Sequence, residues 1–237
     1  MERVAIYTCI IGSYDTLKQP SELCPGMDYI CFVGPGEKTA ERVGVWQIRE
    51  LEGIGIKDPG LLSRYPKMHP HLLLSEYDAS LWIDANIEIM DSSIYRAVRT
   101  KLSAGVKYSG VEHPSRDNAY DEAIMCRNMG YISYLKLARI FLFLMTHGQK
   151  RRGSFLMENN LIFRRHKDPQ IVTMDKLWWD KVVHLCRRDQ ISLGWCLQKC
   201  SVRRDYLLPR GQSTRNHPGF RYLPHEAKGG GTCAEKK

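Results

Sequence analysis

The sequence predicts an α/β fold with a mostly parallel central sheet flanked by helices. Three observations predict it. Short apolar runs rich in β-branched and aromatic residues alternate with helix-like segments through the first half of the chain, which is the pattern of layered α/β proteins. The runs are bounded by Pro, Gly and Asp rather than continuing into helical spacing. The chain has 237 residues, 43% of them hydrophobic, with no low-complexity block, so it is long enough to bury a sizeable core. No repeat or long linker divides it, and the expectation is one domain over residues 1–228 with a disordered tail over 229–237.

RVAIYTCII is the first strand, MDYICFV the second after the Pro25-Gly26 break, and VWQIREL the third. GLLSRYPKMHPHLLL is helical in composition, but Pro66 and Pro70 interrupt it. SLWID is the fourth strand. DSSIYRAVRTKL opens on N-capping residues and continues with helical spacing. GVKYSGVEH returns to a strand. NAYDEAIMCRNMGYISYLKLARIFLFLMTHG predicts two helices joined near Gly130 and ending at Gly148. FLMENNLIFRR is a further strand. DPQIVTMDKLWWDKVVHLCRR and DQISLGWCLQKC are consecutive helices.

The formal charge is +9 and the sequence pI is near 9.1, a balance that favours anionic partners. Basic residues are not interleaved with aromatics in a stacking motif, so no nucleic acid is expected as partner. No window approaches the roughly 18 apolar residues of a membrane span. The N-terminus enters a strand directly, without the regions of a signal peptide. The expectation is a cytoplasmic chain, with peripheral contact to an anionic membrane through its basic surface, or a luminal domain without its targeting segment. The eight cysteines form no CxxC pair. Cys9, Cys31 and Cys196 sit among apolar neighbours as small core residues.

The strand SLWID ends in a carboxylate and is followed by an amide two positions on. Residues i and i+2 of an extended chain point the same way, so Asp84 and Asn86 can offer two oxygens in one direction. Hard cations such as Mg2+ or Mn2+ take such ligands. The same pair also suits a strand-to-turn boundary. In HPSRDNAYDEA, His113, Arg116, Asp117, Tyr120 and Glu122 crowd the end of another strand. Arg116 offers a fork for a phosphate or carboxylate, and His113 and Glu122 can meet ligand hydroxyls. The competing reading is a helix start capped by Asp117. In ENNLIFRRH, Glu158 and Asn159 or Asn160 stand at a strand end, where they too can meet hydroxyls or form a surface turn.

Four stretches together resemble a known family: IYTCIIGSYDTL, YPKMHPHLLLSEYDASLWIDANIEI, HPSRDNAYDEA and RRDQISLGW. The sequence is similar to the glycosyltransferase-like family catalogued as domain of unknown function 616. That family is related to the GT-A glycosyltransferases of the glycogenin and bacterial galactosyltransferase type. Asn86 is a departure, because those enzymes usually carry a second Asp there. The resemblance implies a Rossmann-like GT-A domain and a hexosyltransferase-like enzyme that moves a sugar from a nucleoside-diphosphate sugar to a hydroxyl of a glycan, lipid-linked sugar or protein. It implies metal assistance by Mn2+ or Mg2+, and retention of configuration. The donor then lies in the turn after the first strand, at Thr8, Gly12, Tyr14 and Asp15, with Arg64 and Lys67 reaching the nucleotide sugar. Asp189 and Gln190 face the reacting carbon, although Asp189 also suits a helix N-cap. His225, with His217 as its rival, is the third metal ligand, and Lys228 meets the diphosphate. A non-catalytic nucleotide-sugar binder and a basic nucleic-acid-binding protein are the alternatives.

Overall fold

The computed structural model describes residues 2–12, 14–152 and 154–224. In chain order its elements are β1 (Val4–Ile10), β2 (Met27–Val33), β3 (Arg42–Val43), β4 (Trp46–Glu50), α1 (Pro59–Leu62), α2 (Tyr65–Met68), α3 (Pro70–Leu73), β5 (Ala79–Ile83), β6 (Ile87–Ile89), α4 (Ser93–Ser103), β7 (Tyr108–Glu112), α5 (Ala119–Asn128), α6 (Tyr134–Thr146), β8 (Met157–Arg164), α7 (Pro169–His184), α8 (Gln190–Lys199) and β9 (Phe220–Tyr222). His225, Lys228 and the tail 229–237 lie outside the described residues.

Seven strands form one sheet in the order β3-β4-β2-β1-β5-β8-β7, and β6 pairs with β9 in a second small sheet. β4, β2, β1 and β5 run parallel. β8 runs against both β5 and β7, so β7 shares the direction of β5. The expected mostly parallel sheet is present, and the reversed β8 is what the local pattern did not show. Because of that reversal, β8 begins at the edge where β1, β2, β5 and β7 end. The short pairs β3 and β9 were also not legible in the sequence.

Alternate residues of β1 feed two cores. Ala5, Tyr7 and Cys9 pack with Trp82, Met68, Trp178 and Leu193 on one face. Val4 and Ile6 pack with Leu81, Ile94, Val98 and Phe163 on the other. A sheet covered on both faces needs apolar side chains in both directions, which explains the unbroken apolar runs. Cys9, Cys31 and Cys196 are buried in these cores, as expected.

Pro66 and Pro70 sit in the first turns of α2 and α3, where a missing N–H costs no helical bond. The GLLSRYPKMHPHLLL stretch is therefore three single turns rather than one helix. Gly130 and Gly148, at φ 76° and 67°, follow α5 and α6, the left-handed geometry that ends a helix with least strain in glycine.

Candidate active site at the carboxyl edge of the sheet

Strand order reverses direction beside β1: the chain adds β2 and β4 on one side and β5 on the other. In open α/β sheets such a switch point opens a crevice at the carboxyl ends of the strands. Asp84 directly follows β5 at this point, and its backbone N–H donates to the Asn160 carbonyl at 2.9 Å. Its Oδ1 accepts from Trp82 Nε1 at 2.7 Å and lies 3.3 Å from Lys67 Nζ, with the side chain 34% exposed. Trp82 and Asp84 share a strand direction, so the indole aims the carboxylate along the edge.

Lys67 is buried. Its Nζ donates to Asp189 Oδ2 at 3.1 Å and stands 5.1 Å from the Trp82 ring centroid. Asp189 precedes α8 but makes no capping bond with its side chain. Asp189 does occupy the N-cap position of α8, as the competing reading has it, but its side chain makes the ion pair and no capping bond. Burial pushes the Asp189 carboxyl up, but Lys67, Arg64 and Arg188 together outweigh that and hold it below the usual range. It is therefore ionised at neutral pH. Its position is fixed from behind by Trp178 Nε1, which donates to the Asp189 carbonyl at 2.9 Å.

Arg164 holds the other end of this arrangement. Fully buried, it donates to Asp175 at 2.6 Å, to the Tyr7 hydroxyl at 2.7 Å and to the Lys67 carbonyl. The ion pair on α7 and β8 thus ties down the backbone that carries Lys67. Arg64 bonds back to the Gly60 carbonyl at 2.5 Å and contributes positive charge near Asp189.

Glu122 of α5 is a buried carboxylate between two guanidinium groups. Oε2 accepts from Arg116 Nε, and Oε1 accepts from Arg188 Nε at 2.6 Å. Burial raises the Glu122 carboxyl, and Arg188 and Arg116 more than reverse the shift. His113 Nδ1 accepts from the backbone N–H groups of Ser115 and Arg116 at 3.2 and 3.0 Å. Burial and the Arg116 charge depress its pKa to about 4, so the ring is neutral at physiological pH. Asn118, not Asp117, caps α5, its side chain accepting from the Asp121 N–H at 2.8 Å. The capping role expected of Asp117 is corrected accordingly: Asp117 instead accepts from the Asn118 amide at 2.8 Å.

β8 opens with polar residues that are all buried. Glu158 Oε1 accepts from Arg215 Nε at 2.8 Å, and Asn160 Nδ2 donates to Thr214 Oγ1 at 2.7 Å. Glu158 Oε2, both amide atoms of Asn159, Asn160 Oδ1 and Gln190 Oε1 have no hydrogen-bond partner within the protein. Buried polar atoms without partners are uncommon, and these five belong to the start of β8 and the start of α8. Burial raises the Glu158 carboxyl, Arg215 opposes the shift, and the nearby Asp84 charge adds to it.

Thr8 lies inside β1, buried with its hydroxyl unpartnered, and not in the turn assigned to it. Gly12 is in that turn, at φ +69°, a backbone geometry that favours glycine. Its N–H donates to Glu37 Oε1 at 2.9 Å, and Glu37 Oε2 accepts from the Gly34 N–H at 3.0 Å. One carboxylate thus fastens the loops after β1 and β2, a role the sequence reading missed. The acid that follows the turn GPG after a strand was its only signal. Tyr14, 51% exposed, and Asp15 follow at the same edge.

Asn86 is buried, and its Nδ2 donates to the Leu223 carbonyl at 2.8 Å. The Leu223 N–H donates back to the Asn86 carbonyl at 3.0 Å. This pairing extends β6–β9 and brings Leu223 against the Asn86 side-chain amide. His217 Nδ1 accepts from the Gly219 N–H at 2.9 Å, a turn contact beside β9. Among the described residues no group of three or more His, Cys, Asp and Glu side chains is arranged to hold a metal ion. Asp84 and the Asn86 side-chain carbonyl are oxygens of the right type, but residues 84–87 form a turn closed by the Ile87 N–H on the Asp84 carbonyl at 3.0 Å, the strand-to-turn boundary the pair also suited and not the extended run that would point both one way. That donor set fits part of a hard-cation shell.

The fold and this edge define an α/β protein of Rossmann-like architecture, with charged side chains paired at its switch point. The chain belongs to the TOD1/MUCI70 glycosyltransferase-like family: the model described as TOD1/MUCI70, glycosyltransferase-like domain, matches residues 1–209. No curated protein matches the chain. The glycosyltransferase-like character expected from the four sequence stretches is therefore present. The matched span includes Lys67, Asp84, Glu122, Glu158 and Asp189.

Proposed function

We propose that this chain is a GT-A-type, hexosyltransferase-like enzyme. It transfers a sugar from a nucleoside-diphosphate sugar to a hydroxyl of a glycan, a lipid-linked sugar or a protein. The observation that carries the reading is the Asp84–Lys67–Asp189 chain of charge at the switch point. The nucleoside lies against the loops after β1 and β2, where Glu37 holds Gly12 and Gly34 and Tyr14 and Asp15 follow Gly12 in the chain. Lys67 and Arg64 offset negative charge on the departing diphosphate. Asp189, kept ionised, faces the positive charge that develops at the anomeric carbon, and Gln190 orients the sugar with its unpartnered Oε1. Glu158 and Asn159 take sugar hydroxyls through their unpartnered atoms. Arg116 and His113, organised by Glu122, border the acceptor side.

Mn2+ or Mg2+ belongs to the same proposal. Asp84, the Asn86 carbonyl and His225 would hold it, with Lys228 meeting the diphosphate. Such an ion supplies Lewis-acid stabilisation of a leaving diphosphate. Retention of configuration is the stereochemical part of the proposal and rests on the glycogenin-type resemblance.

The test is a thermal-shift panel of nucleoside-diphosphate sugars, with Mn2+ or with chelator, followed by turnover of any donor that binds. A fitting donor at a hundredfold excess over its Kd stabilises the protein by about 2.7 kcal/mol. Product anomeric configuration is read by NMR. A protein that no nucleotide sugar stabilises and that releases no nucleoside diphosphate would overturn the reading.

A further inference from the structure

Residues between Glu122 and Glu158 include no Asp or Glu, yet they carry Arg127, Lys136, Arg139, Lys150, Arg151 and Arg152. The same stretch holds seven of the twelve large hydrophobics that are exposed among the described residues: Met125, Met129, Tyr131, Tyr134, Leu135, Leu142 and Met145. Exposed apolar residues scattered singly are ordinary, whereas a contiguous group marks a contact surface. These residues form a group because α6 repeats them on one face. Leu135, Arg139 and Leu142 follow at intervals of four and three residues, with Tyr134 and Met145 beside them. Tyr134 is 73%, Leu135 74%, Leu142 60% and Met145 64% exposed. The opposite face packs Ile140 and Leu144 against Tyr120, Ala123 and Cys126 of α5. The helix is thus apolar on both sides, a composition that in a stable protein means both sides are covered.

Charge decides what covers the outer side. Arg127 stacks on the outward-facing Tyr134 ring at 3.8 Å from its centroid, and Arg139 stands within the apolar row. Arg151 pairs with Asp121 at 2.9 Å, so it is the least available of the group. An apolar face with cations among and around it, and no acid in its stretch, matches an anionic bilayer surface. Such a surface takes apolar side chains below the headgroups and Lys or Arg beside them. No helix among the described residues is long and apolar enough to cross a membrane.

We infer that the outward face of α6, with the exposed end of α5, is a peripheral docking surface for anionic lipid. The helix lies along the membrane plane with Leu135, Leu142 and Met145 in the headgroup boundary and Arg139, Lys136 and Arg127 at the phosphates. The basic composition led to the expectation of peripheral contact with an anionic membrane. The fold supplies a surface for it by burying Ile140 and Leu144 and leaving the other row of α6 outside. This surface is independent of whether the protein transfers a sugar.

The test is co-sedimentation of the full chain with vesicles of phosphatidylcholine alone or mixed with phosphatidylglycerol, at low and high salt. The chain is expected to bind the mixed vesicles, to bind phosphatidylcholine at least about tenfold more weakly, and to be released as salt screens the phosphates. Leu135→Asp with Leu142→Asp is expected to lower binding at least about tenfold while the melting temperature holds, because both side chains are already in water. Lys136→Glu with Arg139→Glu, two surface changes that put no packing at risk, is expected to abolish the preference for phosphatidylglycerol. Absence of binding to mixed vesicles, or unchanged binding in both variants, overturns the inference. So does a concentration-dependent dimer in vesicle-free solution that Leu142→Asp dissociates, because a second copy would then cover the face.

Discussion

Lys67 and Asp189, 122 positions apart in sequence, meet as a buried ion pair at 3.1 Å. The lysine also lies 3.3 Å from Asp84, so a single ammonium sits between a carboxylate at the end of β5 and one at the start of α8. A buried charge is tolerated when it is paired and bonded. This one joins a partly exposed carboxylate, Asp84, to a nearly enclosed one, Asp189.

Lys67→Met is expected to destabilise the protein by about 3 kcal/mol, because Asp189 is then buried without its partner. Urea unfolding measures the loss. Lys67→Met combined with Asp189→Asn should recover part of it, and a single variant as stable as the parent chain would show the pair to be energetically idle.

Asp84→Asn is expected to reduce sugar transfer by about 100-fold or more while the fold survives, the size of loss seen when one charge-stabilising group is removed. Its side chain is 34% exposed, and an amide oxygen can still accept from Trp82. Turnover of the donor against circular dichroism separates the two effects. Full turnover would remove Asp84 from the mechanism.

Glu122→Gln is expected to cost about 3 kcal/mol, since Arg116 and Arg188 both lose their buried counter-charge. Thermal unfolding reports it. Because Arg188 adjoins Asp189, donor affinity should fall in the same variant. A Glu122→Gln variant with the parent melting temperature would mean that solvent already screens the two arginines.

Asn86→Ala removes the bond to the Leu223 carbonyl, at a cost of about 1 kcal/mol. Hydrogen exchange should quicken at residues 220–223, where β9 pairs with β6. Unchanged protection would assign the attachment of this segment to the backbone pairing alone.

Acid is expected to destabilise the fold below neutrality. Burial depresses the pKa values of His69, His113 and His166 from 6.5 to about 4. Between those values the unfolded chain binds protons that the folded one refuses, so stability falls as pH drops from 6.5 toward 4. Each histidine contributes up to about 1.4 kcal/mol per pH unit. Asp175, raised by burial to about 6, works in the opposite direction with one proton. Urea midpoints measured at pH 7.5, 6 and 5 check the sign, and a flat profile would contradict neutral burial of these rings.

The elements were legible because their signals are local. β1, β2 and β5 appear as apolar runs, α5 and α6 as periodic segments stopped by Gly130 and Gly148, and the Asp84 strand end as a change from apolar to polar. Of the candidate residues singled out, Lys67, Asp84 and Asp189 meet in one ion-pair chain, whereas Thr8 lies inside β1 and Asn86 bonds to Leu223. Their partners were not legible. Arg164, Arg188 and Arg215 carry no local pattern that announces a role, since each acts on a residue from another element, and Glu37 has only the GPG turn before it.

The sequence by itself determined most of the longer strands and helices, the layered class and the glycosyltransferase-like character of the chain. Hydrophobic periodicity and turn residues act over a few positions and need no knowledge of what lies opposite. Only the tertiary structure decided that β8 runs backward, that the Asp189 side chain pairs with a lysine instead of capping its helix, and that one row of α6 stays outside. Those outcomes depend on which strand lands beside β5 and which helix face finds cover. They are set by the packing of the whole sheet against its helices, because a charge is neutralised by whatever reaches it in space.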